Sequence, residues 1–214
     1  MITRLSAHAA LIALALALHP QLATAQGRYL DELVLRDVGD GREFALASVY
    51  RYLDSRGTLW IVPGGAVVNG ASIPQPLWSL LGGPWEGRYR NASVIHDYFF
   101  DQQKYYGSDA VHWVFYDAML ASGVEPTKAK LMYWAVLRFN PVRRATLRKR
   151  CPTFGNAPVA CSPIDAGEPL DEVVYELVTP PFDEAELRRT AEMIERTAPP
   201  VEELERLAKE KRGF

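Results

Sequence analysis

Two neighbouring residues, His96 and Asp97, carry an imidazole and a carboxylate into a stretch that is otherwise aromatic and aliphatic, NASVIHDYFF. Sixteen residues on, His112 stands with Asp109 and Tyr116 at helical spacings, so those three share one side of a helix. Neutral imidazoles and a carboxylate from adjacent helices suit a divalent metal, zinc or calcium, with an open position for water. A water bound there becomes a nucleophile near neutral pH, and the same groups serve as acid and base without a metal. The expected metal set is His96, Asp97 and His112, and the expected catalytic pair is His96 and Asp97. Asp117 is five residues from His112 and points elsewhere, so it is set aside as a co-ligand. A third feature, VPGGAVVNGASIP at 62–74, runs a strand into a small-residue turn. Its Asn69 and Ser72, with Tyr116, are the expected substrate-binding side chains. The plain alternative makes Ser72 a helix cap, since Pro74 follows two residues later.

The elements that must position these groups follow from periodicity. Residues 32–69 alternate apolar and polar side chains between Gly and Asp-Ser turns, which predicts a small antiparallel sheet. Beyond Gly70 the period becomes helical: a short helix opening at Pro74, one over 89–103, one from Ser108 to Gly123, and one opening at Pro126 and stopped by Pro141. The short connection at 103–107 makes the second and third of these an antiparallel hairpin, which brings His112 towards His96 and Asp97. The expected fold is therefore α+β, a small antiparallel sheet packed on a bundle of about three helices, with a charged helical C-terminal tail. The core domain spans 26–150. Residues 151–180 hold a Pro- and Gly-rich loop and an edge strand, EVVYELVT. The tail, 181–214, reads as a solvated, weakly packed surface whose Asp183 and Glu186 make a capping box.

Residues 1–25 have the order of a secretory signal: Arg4, an apolar run from Ala9 to Leu18, Pro20, then Ala23-Thr24-Ala25. The run is shorter than the roughly 20 residues a membrane helix needs, and the mature chain offers no transmembrane segment. Export predicts a periplasmic or secreted protein and an oxidising compartment, in which Cys151 and Cys161 pair as a disulfide. The mature chain sets 26 Asp+Glu against one fewer than the 24 Lys+Arg of the full sequence, a balance that argues against nucleic acid as a partner.

In order, VPGGAVVNGASIP, PLWSLLG, NASVIHDYFF, HWVFYDAMLASGV and AKLMYWAVLRF resemble a bacterial and phage family, domain of unknown function 1353, over residues 58–140. The resemblance implies no activity. It does imply an Asp where this chain has Asn69, and an Asp where it has His112. The second exchange keeps a ligand or proton carrier; the first removes a charge. The adjacent His96-Asp97 is also similar to the secreted phospholipase A2 arrangement, though the glycine-rich calcium loop and dense disulfides of that family are missing. Two functions follow as expectations. One is a metal-assisted hydrolase acting on lipid or peptidoglycan of the envelope. The other is a non-catalytic envelope module in which GASIP and HD form a buried hydrogen-bond network.

Overall fold

Alternation along the chain decides the strands: Tyr50 and Tyr52 are buried while Arg51 and Leu53 are half-buried, and Trp60 and Val62 are buried while Leu59 and Ile61 are exposed. In the computed structural model, which describes residues 26–39, 41, 43–70, 82–83, 85, 87–101, 108–150 and 170–212, these strands form two small antiparallel sheets. The first has the order β1-β4-β5, from Arg28–Tyr29, Tyr50–Leu53 and Leu59–Val62. The second has the order β2-β3-β6, from Leu35–Asp37, Phe44–Leu46 and Val67–Val68. One sheet was expected. The run 42–54, read as continuous, breaks at 47–49 so that β3 and β4 serve different sheets.

The helices follow a 3-10 turn at Gly87–Tyr89. They are α1, Arg90–Asp101; α2, Ser108–Ala121; and α3, Pro126–Phe139. The start of α3 is fixed by Glu125, whose carboxylate accepts from the amides of Thr127 and Lys128, and by Pro126 in the first turn, where a missing N–H costs nothing. Residues Ala92 to Asp97 of α1 are all buried, so this helix is enclosed on nearly every side. Its Phe99 meets Trp60 of β5 edge to face, with ring centroids 4.8 Å apart, and so joins the first sheet to the helices. The class is α+β, as periodicity predicted.

After Pro141 the basic run forms β7, Val142–Arg150, which pairs residue for residue with β8, Leu170–Val178. The expected edge strand is thus half of a separate two-stranded ribbon. Two further helices, α4 (Glu184–Thr197) and α5 (Val201–Arg212), are joined through Ala198, whose φ of 43° lies in the left-handed region. They are not a weakly packed surface. Leu187, Ile194, Leu204 and Ala208 are buried in the common core, and the pair clasps α3. Asp183 caps α4 through the Glu186 amide, but Glu186 does not complete the expected box: its carboxylate turns to Arg138.

Candidate functional site: a buried histidine pair and its carboxylate anchors

His96 sits in the middle of α1 and His112 one turn into α2, and these two helices pack together. His96 Nε2 and His112 Nδ1 are 2.8 Å apart, and both residues are fully buried. The aromatic rings of Phe100 and Phe115 flank His96, and Phe100 also reaches His112. Burial drives the His96 imidazole down to about 3. His112 is also pushed well below the usual histidine range, by burial first, then by His96 and Arg212. Both rings are therefore neutral around pH 7.

A neutral imidazole has one N–H and one bare nitrogen, so a bond between two of them is directional. Whichever ring donates, one outer nitrogen is left as a donor and the other as an acceptor. Those outer atoms, His96 Nδ1 and His112 Nε2, are buried with no hydrogen-bond partner. The facing nitrogens share one hydrogen. To hold a tetrahedral ion together they would have to spread to roughly 3.3 Å, the separation set by metal–nitrogen bonds of about 2.0–2.1 Å. Among the described residues, no group of three or more His, Cys, Asp or Glu side chains is placed to hold a metal ion.

Asp97 turns away from the pair, as adjacent helical residues must. Its Oδ2 accepts from the amides of Asn69, at 2.7 Å, and Gly70, at 2.9 Å. Gly70 has φ 66°, a conformation a side chain would resist, and this turns its amide towards the carboxylate. The histidine-aspartate neighbours thus fasten in two directions, His96 to α2 and Asp97 to the chain leaving β6. Asn69 is exposed and meets Asp97 through its backbone N–H. Tyr116 lies half-buried against the Tyr133 ring of α3, with centroids 5.2 Å apart. Ser72, the expected helix at Pro74, residues 1–25 and the pair Cys151 and Cys161 lie outside the described residues.

Two further buried carboxylates were not singled out as structural by sequence reading. Asp117 of α2 accepts from the Tyr52 hydroxyl, at 2.6 Å, and from the Ser55 amide, tying α2 to β4 and its turn. Burial first, and the bond to Asp117 second, hold the Tyr52 hydroxyl above its ordinary range. Asp54 accepts from the amides of Arg56 and Thr58 and from Trp60 Nε1, closing the β4–β5 turn. For Asp54 a signal was present as Asp beside Ser and Gly in turn-forming sequence, though a turn pattern does not identify Trp60 as a partner; Asp117, inside the helical run VFYDAML, carried no such mark.

Residues 44–136 match a family described as Protein of unknown function (DUF1353). The histidine pair lies within the matched segment. It begins earlier than the 58–140 of the resemblance, so it includes β3 and β4 with Tyr52 and Asp54 as well as α1 and α2. Two similar proteins come from Sinorhizobium fredii (strain NBRC 101917 / NGR234). An uncharacterized protein, y4jT, is 50% identical over 98 residues, which is 46% of this chain and 29% of its own length. A second, y4iH, is 42% identical over 103 residues, 48% of this chain and 43% of its own. The match therefore spans less than half the length of each of these relatives. No solved structure matches it. No helix among the described residues is long and apolar enough to cross a membrane.

Proposed function

We propose that this chain is an exported, non-catalytic binding module of the cell envelope, in which the HD pair of the DUF1353 segment works as a buried fastening. The observation that carries this reading is the commitment of both side chains: Asp97 Oδ2 to the amides of Asn69 and Gly70, His96 Nε2 to His112. A catalytic base needs reach to a substrate proton, and a fully buried, mutually bonded pair gives none in this conformation. Buried polar networks with their main partners in place fix one arrangement of the surrounding elements, and breaking one leaves desolvated groups unpaired. Export is supported by the Arg4, apolar run and Ala23-Thr24-Ala25 order of the first 25 residues.

The test joins stability to metal content. Purified protein should carry no stoichiometric zinc or calcium by elemental analysis, and His96→Ala should lower the melting temperature by several degrees. A bound ion lost on His112→Ala, together with an unchanged melting temperature for the apoprotein, would overturn it.

One observation favours the second reading, a metal-assisted hydrolase acting on lipid or peptidoglycan. The outer nitrogens His96 Nδ1 and His112 Nε2 are unpartnered, and either can ligate an ion if the pair opens. In that reading the ion would supply an activated water, and Asn69 and Ser72 would orient the substrate.

A further inference from the structure

The unpaired edge of His112 is not the only orphan in its neighbourhood. Arg138 of α3 is buried, with 6% of its surface exposed, and spends Nε and Nη2 on Glu186; its Nη1 is buried without a partner. Arg212, in the last turn of α5, has buried Nε and Nη2 atoms that are both unpartnered. Those two atoms form the fork with which a guanidinium grips two oxygens at once.

Packing brings these groups to one junction. Tyr133 of α3 donates to Glu205 of α5 at 2.6 Å, and Lys209 of α5 pairs with Asp109 of α2 at 2.8 Å. Arg212 follows Lys209 by three residues and His112 follows Asp109 by three, so both lie one turn from that contact. The Arg212 guanidinium accordingly acts electrostatically on His112 and on Arg138. Two cations sit near each other: Glu186 answers the Nε–Nη2 side of Arg138, while Asp109 is engaged with Lys209 and Glu205 with Tyr133, which leaves the Nε–Nη2 side of Arg212 without a carboxylate partner among the described residues.

We propose that the junction of α2, α3 and α5 is a binding site for a phosphoryl oxyanion, held by the Nε–Nη2 fork of Arg212, Arg138 Nη1 and His112 Nε2. Donors from three side chains exceed what the two oxygens of a carboxylate require and suit a group with three terminal oxygens. Arg212 is only partly buried and stands in the last turn of α5, with its Nε–Nη2 fork turned inward. Occupancy selects one tautomer of the histidine pair. His112 carries its proton on Nε2 towards the anion, so His96 Nε2–H must donate to His112 Nδ1. This inference rests on the binding-module reading and gives that module a ligand class, from free phosphate or from a phospholipid headgroup.

The test is titration of the full protein with inorganic phosphate at constant ionic strength, followed by melting temperature and calorimetry. In parallel, the protein is sedimented with phosphatidylcholine vesicles with and without phosphatidic acid. Saturable phosphate binding, or sedimentation only with phosphatidic acid, is expected; the first identifies the free ion and the second the headgroup. Arg212→Gln should weaken whichever is seen at least tenfold, while Arg206→Gln, on the exposed face of α5, leaves it unchanged. Arg212→Gln must retain the wild-type melting temperature without ligand to within a few degrees, and Arg212→Lys covers the case in which it does not. No response from the wild type, or responses from Arg212→Gln and Arg212→Lys equal to that of the wild type, overturns the proposal. A metal found on the histidines would instead sink the reading beneath it.

Discussion

Arg138 Nε and Nη2 donate in parallel to the two carboxylate oxygens of Glu186, at 3.1 and 3.0 Å, with each side chain about a tenth exposed or less. A charge pair so nearly dry is costly to break from one side, because the survivor stays buried and uncompensated. Glu186→Ala should therefore cost about 3–5 kcal/mol, measured by chemical denaturation. Replacing both residues together with apolar ones of similar volume should recover most of the loss. If Glu186→Ala costs no more than a surface substitution, the clasp of α4 on α3 contributes little.

Asp97 gives a separate test of how the sheet end is held. Its carboxylate receives two backbone N–H bonds of charge-assisted kind. Asp97→Ala should lose about 2–5 kcal/mol and speed amide exchange at Asn69 and Gly70 more than elsewhere. Asp97→Asn keeps an acceptor oxygen and should lose less. Equal losses for the two would show that the charge, not the acceptor, fastens the turn.

The histidine pair makes the fold acid-sensitive in a defined window. Burial lowers both folded values, His96 to about 3, while in the unfolded chain each sits near 6.5. The unfolded state therefore binds more protons below pH 6.5, and stability falls as pH falls from there towards the folded value. The slope contributed approaches roughly 1.4 kcal/mol per pH unit for each histidine. Stability measured between pH 7.5 and 4.5 should drop more steeply in the wild type than in a His96→Phe, His112→Phe double variant. Parallel curves would mean the rings are not buried and neutral.

Gly27 is packed so closely that a methyl group there meets the Tyr52 hydroxyl and Asp117 Oδ2. Gly27→Ala should force that hydrogen bond apart and cost about 1–3 kcal/mol, whereas the exposed neighbour tolerates Gln26→Ala. Melting of the two variants side by side is sufficient. An unaffected Gly27→Ala would place the first strand farther from α2 than described.

The sequence conveyed the helices best. α1, α2 and α3 are long, periodic and bounded by Gly123, Pro126 and Pro141, so their existence and the meeting of His96 with His112 could be argued from spacing and a short connection. The direction of Asp97 was not legible, because its partners are backbone amides twenty-seven and twenty-eight residues away, and amides leave no mark in a residue pattern. The split into two sheets was hidden because β3 and β4 share one continuous alternation. The packing of α4 and α5 was hidden by scarcity: four buried apolar residues among many charges resemble a solvated face. Glu186 looks like a surface residue for the same reason, and Arg138 was not legible because its partner lies forty-eight residues away.

The order of the clasp along the chain has a consequence for biogenesis. α4 and α5 are the last described elements to emerge in synthesis, and Leu187, Ile194, Leu204 and Ala208 are the side chains that cover α3. Until they arrive, an apolar flank of α3 stands open in the nascent chain and cannot reach its final packing. The last two described helices thus act as a latch, closing over α3 only after the rest of the described core has been made.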